Sequence, residues 1–182
     1  MAVLIPSIGS CTFDSGGERR FAERLEAKLE DDYLCWYNVP VGPSALHPDF
    51  VVFHPRRGLL VLEVKDWRAG TILAANPGRF TVHTDRGALE VESPFAQARR
   101  HAHAAVDLLQ RDRLLVFSSG REAGRLTFPW SYGVVFPNLS RRQFAEGELG
   151  GVIPPQRVIC KDEMLEDVEA EAFQQRFSLN VL

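Results

Sequence analysis

The apolar residues of this chain follow two patterns along its length. One is a recurrence every three to four residues, typical of the buried stripe of a helix, and the other is the short continuous run of a buried strand. The two patterns alternate, which predicts an α/β fold. In chain order we expect a helix (15–31), a strand (33–41), a hairpin (49–65), a short strand (71–73), a second hairpin (80–91), a helix (94–113), two strands (130–136 and 157–160) and a closing helix (164–177). Residues 114–117 are either a buried strand or the end of the second helix.

The first predicted helix carries a carboxylate on its inward face. Phe21, Leu25 and Leu29 recur every four residues and predict its buried stripe. Ser15 and Glu18 form a capping-box pattern, in which the glutamate reaches back to the serine backbone. Glu18 precedes Phe21 by three residues and therefore shares the face of the stripe. The sequence is compatible with Glu18 as a cap, as an active-site acid, or as both.

Two acids and a lysine fall at the open end of the first predicted hairpin. Its apolar runs, 50–53 and 59–62, are joined by a turn sequence with proline and glycine. If the sequence numbers of two facing residues sum to about 113, Asp49 lies opposite Val64, within one residue of Glu63 and Lys65. Glu63 and Lys65 are two residues apart, so their side chains share one face of the strand. A bulge or a one-residue slip would change this register, which the sequence leaves open.

This pattern of acids and lysine fits the chemistry of a metal-dependent hydrolase. One or two carboxylates can hold Mg²⁺, with water and substrate phosphate as the other ligands. A bound divalent ion lowers the pKa of water, and a neighbouring lysine can orient that water or stabilise developing charge. The alternative interpretation is structural, because apolar strands often end in charged residues that face solvent.

Length, charge and cysteine content narrow the class of protein. The 182 residues fit one domain, and Cys11, Cys35 and Cys160 are too widely spaced for a zinc or redox motif. We therefore expect a reduced, intracellular and cytoplasmic protein in which the cysteines act as small buried hydrophobes. Neither a signal peptide nor a run of transmembrane length is present. The net charge of −3 argues against a general DNA-coating protein, but not against an acidic metal nuclease.

Basic and polar residues cluster on the helix predicted at 94–113. Gln97 and His101 are four residues apart and share a face, and Arg99 and Arg100 lie between them. The arginines and His101 could contact DNA phosphates, or they could form a solvated helix face. Motifs for serine hydrolases and glycine-rich phosphate loops are absent from the sequence.

Four short motifs, in this order, resemble the nuclease-related domain (NERD) family of the PD-(D/E)XK, restriction-endonuclease-like superfamily. They are Gly17-Glu18, Pro48-Asp49-Phe50, Glu63-Val64-Lys65-Asp66-Trp67 and Ser93-Pro94-Phe95-Ala96-Gln97-Ala98. The resemblance continues through 134–138 and 158–162, so that it covers about residues 14–180 of the 182-residue chain. Ser93 replaces the asparagine that often precedes proline in the family, and serine caps a helix equally well.

The resemblance implies a central mixed β-sheet flanked by helices, with the site at the edge of a strand pair. It implies Asp49, Glu63 and Glu18 as ligands of Mg²⁺ or Mn²⁺, Lys65 as the catalytic lysine, and Gln97 as a residue that positions the lysine, water or DNA. Family members often lie beside helicase or kinase modules. The chain is therefore either a complete single-domain protein (1–182) or the first domain of a longer one, with DNA, and a helicase, as the expected partners.

Two hypotheses follow. The first is a metal-dependent DNA nuclease acting in DNA processing or repair, whose clustered acids have a raised carboxylate pKa without metal and whose activity falls in acid. The second is a non-catalytic DNA-binding domain that positions a helicase partner through Arg99 and Arg100. The intact acids and lysine favour the first hypothesis. The oligomeric state, the number of metal ions and the preferred DNA structure do not follow from the sequence.

Overall fold

The fold is that of a computed structural model, which describes residues 1–147 and 149–179. Its strands are β1 (Val3–Ile5), β2 (Leu34–Tyr37), β3 (Phe50–His54), β4 (Gly58–Val64), β5 (Ile72–Ala75), β6 (Arg79–Thr84), β7 (Gly87–Glu92), β8 (Trp130–Phe136) and β9 (Val158–Cys160). Its α-helices are α1 (Gly16–Lys28), α2 (Pro94–Leu109), α3 (Arg141–Glu146) and α4 (Ala170–Leu179).

Six strands form a mixed central sheet in the order β1-β2-β3-β4-β8-β9. The hairpin β3–β4 and the pair β2–β3 are antiparallel, whereas β4, β8 and β9 run parallel to one another. Parallel neighbours require a crossover connection, and α2 supplies it by packing on both β4 and β8. The predicted α/β class is confirmed, and this sheet flanked by helices is consistent with a restriction-endonuclease-like core.

The alternation of side chains along β4 assigns its residues to two helical layers. Leu60, Leu62 and Val64 belong to the apolar cluster that contains the α1 stripe and two phenylalanines of α4. Leu59 and Val61 belong instead to the cluster formed with α2. Because side chains alternate along a strand, Glu63 shares the α2 face of the sheet. The α1 stripe is buried as predicted, and truncating a fully buried phenylalanine such as Phe21 to alanine costs about 3–5 kcal/mol.

A separate small sheet, β5-β6-β7, packs beside the central one. Phe80 and Val82 of β6 belong to the apolar cluster of β8 and β9. Trp67 bridges the two sheets, with ring centroids 5.9 Å from Phe80 and 6.4 Å from Phe136. The second predicted hairpin is confirmed, and β5 extends it to three strands.

The first hairpin adopts a register one residue from the one expected. Phe50 pairs with Leu62 and His54 with Gly58. Continuing this ladder brings Asp49 opposite Glu63 rather than Val64. Gly58 has a φ of 87° and lies so close to Pro129 that an added Cβ would be 2.0 Å from the Pro129 carbonyl oxygen. This close approach requires glycine at the turn.

Several elements differ from the sequence predictions. The strand β1 and the helix α3 were not expected, because a three-residue strand and a six-residue helix carry too little periodicity. The predicted strand or helix end at 114–117 is wrong, since Leu114 is 88% exposed and only Val116 makes an isolated bridge, to Leu126. The strand β2 stops at Tyr37 because Asn38 has a φ of 51°.

Two of the three cysteines have the buried role expected of them. Cys35 and Cys160 are fully buried and free, and burial raises the pKa of each to about 12. Their thiols therefore remain protonated near neutral pH. Cys11 is free and partly buried. None of the described helices is long and apolar enough to cross a bilayer.

Candidate active site

The hairpin β3–β4 brings Asp49, Glu63 and Lys65 together at the end where β4 leaves the sheet. The Asp49 Oδ2 atom accepts a hydrogen bond of 2.7 Å from the backbone N–H of Val64. The Lys65 Nζ atom lies 3.7 Å from Glu63 Oε2, which confirms that the two side chains share a face. Glu63 is completely buried, and the Lys65 side chain is only 22% exposed.

Burial and the neighbouring Glu63 carboxylate raise the pKa of Asp49 to about 8. The Val64 N–H and Lys65 oppose this rise, and the charge of Glu18 adds to it. Two carboxylates in one poorly hydrated place cannot both ionise at low cost unless a cation joins them. The pKa of Asp49 is therefore raised by burial first and by the nearby Glu63 carboxylate second, and the charge of Lys65 offsets the rise only in part.

The two oxygens of Glu63 have different surroundings. Oε1 lies 2.5 Å from the Nδ1 atom of His101, a residue of α2 that is itself buried. Oε2 is buried and receives no hydrogen bond from the part of the chain described, although Lys65 lies near it. A buried carboxylate oxygen without a donor is costly, and a divalent cation prefers such a ligand. The carboxylates of Glu63 and Asp49 thus fit a divalent cation that prefers oxygen ligands.

Glu18 is buried at the start of α1, and its oxygens are already bonded. Oε1 accepts from the Ser15 hydroxyl at 2.9 Å, while Oε2 accepts from the Tyr37 hydroxyl at 2.6 Å and from the Asp14 N–H at 3.2 Å. Ser15 caps the helix as predicted, by accepting from the Glu18 N–H, but Glu18 reaches its hydroxyl and not its backbone. Glu18 contributes negative charge toward Asp49, and its role as a third metal ligand stays a prediction.

A polar clamp, formed by Arg20, Asp66 and Asn138, joins α1 to the ends of β4 and β8. Asn138 Nδ2 donates to Asp66 Oδ1 at 2.5 Å, and Arg20 donates to Asn138 Oδ1 at 2.9 Å. Arg20 also forms an ion pair of 3.4 Å with Asp66. Gly17 fits against this clamp, since a Cβ there would lie 2.6 Å from Asp66 Oδ1. The clamp fixes Glu18 relative to the strand that carries Glu63 and Lys65.

The predicted polar residues of α2 fall into two groups. Gln97 is half-buried one helical turn before His101, and within residues 1–147 and 149–179 its amide makes no hydrogen bond. His101 is buried against Glu63, so it is not on the surface where a DNA phosphate contact was expected. Arg99 and Arg100 are exposed as expected.

Glu92, at the end of β7, is a site neighbour that the sequence did not indicate. Its carboxylate accepts from Arg100 at 2.8 Å, and this bond is the main reason that its pKa is lowered. The charges of His101 and Lys65 also lower the pKa of Glu92, which brings the small sheet into the electrostatic surroundings of the site. No sequence spacing links Glu92 to Lys65, because their proximity depends on how the two sheets pack.

A second group of potential ligands lies away from this site. Glu30, Asp32 and His54 each place one ligand atom within 4.8 Å of the others. The His54 Nδ1 atom accepts a hydrogen bond of 3.0 Å from the Arg56 N–H, so the proton of the neutral ring is on Nε2. That Nε2 lies 3.2 Å from Asp32 Oδ2, although the contact does not have hydrogen-bond geometry. The geometry would allow a metal ion, but this tautomer suits a histidine–aspartate pair.

The family model of the nuclease-related domain (NERD) matches residues 14–136. The matched segment contains the two acids and the lysine of the hairpin, together with Glu18 and all of α2. No curated protein and no solved structure matches the chain. The match spans more than half of the chain, from just before α1 to the last residue of β8.

Proposed function

The chain belongs to the nuclease-related domain family, and on that premise we propose that it is a metal-dependent nuclease that hydrolyses DNA phosphodiester bonds. The observation that carries the proposal is the buried Glu63 Oε2 atom, which receives no hydrogen bond from the described residues and lies 3.7 Å from Lys65 Nζ. The raised pKa of Asp49 adds to it, because a cation would relieve the repulsion between the two acids.

Asp49 and Glu63 would hold Mg²⁺ or Mn²⁺, since both are oxygen ligands of the kind these ions take. A bound divalent ion supplies a nucleophile at neutral pH by lowering the pKa of water, and it stabilises charge on the phosphate oxygens. The N–H of Val64 orients the Asp49 carboxylate, so that this ligand is fixed in place before an ion binds. Glu18 adds negative charge behind Asp49.

Lys65 would supply the positive charge that the protein itself contributes to catalysis. Its ammonium group lies 3.7 Å from Glu63 Oε2, and the side chain remains partly exposed to a substrate. In this place it would orient the attacking water and stabilise the negative charge that develops on the phosphate. Gln97 has an amide free for the substrate or the water on the same helix face as His101.

DNA is the proposed substrate, and the exposed Arg99 and Arg100 are the proposed phosphate contacts. Phosphate contacts have similar strength for every DNA sequence and weaken as the salt concentration rises, as expected of a nuclease that does not read the bases strongly. A role in DNA processing or repair, the helicase partner and the cytoplasmic location stay predictions.

The alternative function, a non-catalytic DNA-binding domain, has less support. It would rest on the same basic surface of α2 that the nuclease would use to contact DNA phosphates. It would also not account for the buried Glu63 Oε2 atom or for the raised pKa of Asp49.

A cleavage assay tests the proposal. Wild-type protein, Glu63→Gln and the exposed-acid control Asp31→Asn are incubated with labelled single-stranded, duplex and forked DNA in Mg²⁺, Mn²⁺ or EDTA. We expect cutting by the wild type and the control only with metal, and loss of cutting in Glu63→Gln. Cutting that persists in EDTA, or DNA binding without cutting under every condition, would contradict the proposed nuclease.

A further inference from the structure

His101 of α2 and Glu63 of β4 make a short polar contact in the interior of the protein. The distance from His101 Nδ1 to Glu63 Oε1 is 2.5 Å, and both residues are buried. When Glu63 is ionised, as a carboxylate that binds a metal must be, its oxygen can only accept, and the proton of this bond is then on Nδ1. His101 is therefore a donor that α2 brings to one oxygen of a buried strand carboxylate.

This bond divides the two oxygens of Glu63 between two tasks. Oε1 contacts His101, which restrains the torsion of the carboxylate. Oε2, on the side of Lys65, receives no hydrogen bond from any residue that the structure describes. Carboxylates that bind metals are commonly held by a hydrogen bond to their other oxygen, which sets orientation and affinity. The contact with His101 would thus orient the Glu63 carboxylate before an ion binds.

We propose that His101 is the positioning residue of Glu63, holding its Oε1 atom so that Oε2 is presented to the divalent ion. This inference rests on the proposed function, because it concerns the ion that Asp49 and Glu63 would bind. It also replaces the DNA-contacting role expected of His101 with a role inside the site. His101 acts through Glu63 and does not itself touch the reacting groups.

The placement of His101 on α2 explains how the fold supports this role. The helix α2 packs across β4 and β8, and its residues Ala102 and Ala105 belong to the same apolar cluster as Val61 of β4. Small residues let the helix backbone approach the sheet, so that an imidazole can reach a fully buried strand residue.

The test measures Mn²⁺ binding by calorimetry in the absence of DNA, with three variants of the full chain. His101→Asn can place an amide donor where Nδ1 lies, His101→Leu removes the donor, and His103→Leu changes an exposed histidine of the same helix. We expect His101→Leu to weaken Mn²⁺ binding by about 10–100-fold. His101→Asn is expected to restore most of the affinity, and His103→Leu to leave it unchanged.

Folding of each variant is checked by thermal melting. If His101→Leu does not fold, His101→Gln takes its place, because the glutamine amide reaches the position of Nε2 and not that of Nδ1. Equal Mn²⁺ affinity of the wild type and the donor-free variant would overturn the role of His101 while leaving the metal site intact. An asparagine variant as weak as the leucine variant would overturn it as well. A wild-type protein that binds no Mn²⁺ would remove the proposed metal site and this inference together.

Discussion

The Asp49 carboxylate accepts a hydrogen bond of 2.7 Å from the backbone N–H of Val64, the residue between Glu63 and Lys65. This bond joins the acid that precedes one strand to the acid and the lysine at the end of the next. It also sets the two carboxylates close enough for Glu63 to raise the pKa of Asp49. Without a bound ion, the two carboxylates repel each other when both are ionised, and the effect of this repulsion on stability can be measured.

Asp49→Asn should stabilise the metal-free protein, and more so at high pH. The pKa of Asp49 is raised from 3.8 to about 8, so between these values the folded protein holds a proton that the unfolded chain has released. The free energy of unfolding of the wild type therefore falls as pH rises through this window. Asparagine can still accept from the Val64 N–H, and it carries no charge to desolvate.

The measurement is thermal melting in EDTA at about pH 5 and about pH 9, with Asp31→Asn as the exposed-acid control. We expect the gain of Asp49→Asn over the wild type to be larger at the higher pH. An equal gain at both values would show that Asp49 does not ionise with the displaced pKa inferred here.

Gly17→Ala should disturb the start of α1, whereas Gly16→Ala should not. A Cβ at Gly17 would lie 2.6 Å from Asp66 Oδ1 and 2.9 Å from Pro137 Cγ, while at Gly16 the nearest heavy atom is 3.4 Å away, at the end of the flexible Arg20 side chain. We expect Gly17→Ala to cost about 1–3 kcal/mol of stability, as overpacking usually does. Chemical denaturation of both variants measures this difference, and equal stability of the two would argue against the polar clamp.

Glu92→Gln should strengthen DNA binding in EDTA by releasing Arg100 from its ion pair. If Arg100 then contacts one more phosphate, the slope of log K against log salt should steepen by about 0.9 for a duplex. The matched control is Glu90→Gln, which removes a like charge from the same strand and releases Arg79 instead. Fluorescence anisotropy across a salt series measures both, and an equal effect of the two variants would indicate a general charge effect.

The fold was largely predictable because its main elements carry strong periodicity. The α1 stripe, the two hairpins and β8 follow directly from the spacing of apolar residues. The hairpin register was predicted one residue off, because the turn sequence does not by itself define how many residues the loop contains. The extended chain at 114–117 resembles a strand in composition, but only Val116 has a bridge partner.

The site was predictable in its hairpin residues and less so around them. Asp49, Glu63 and Lys65 follow from the strand period, because two adjacent strands determine their proximity. The contact of His101 with Glu63 joins a helix to a strand across the crossover, and only the shared face with Gln97 hinted at it. Glu92 and the clamp of Asp66 with Asn138 depend on packing between elements, which no local pattern encodes.

The most direct test of the account compares Lys65→Ala with the wild type in two assays on the same preparations, Mn²⁺ binding and DNA cleavage. Since Lys65 supplies charge beside Glu63 Oε2 and is not a metal ligand, we predict that the variant still binds Mn²⁺. Its cleavage rate should fall by about 10²–10⁴-fold, the range typical of a lost catalytic acid–base or charge-stabilising group. Equal cleavage by the two proteins, or wild-type cleavage that survives EDTA, would contradict the account.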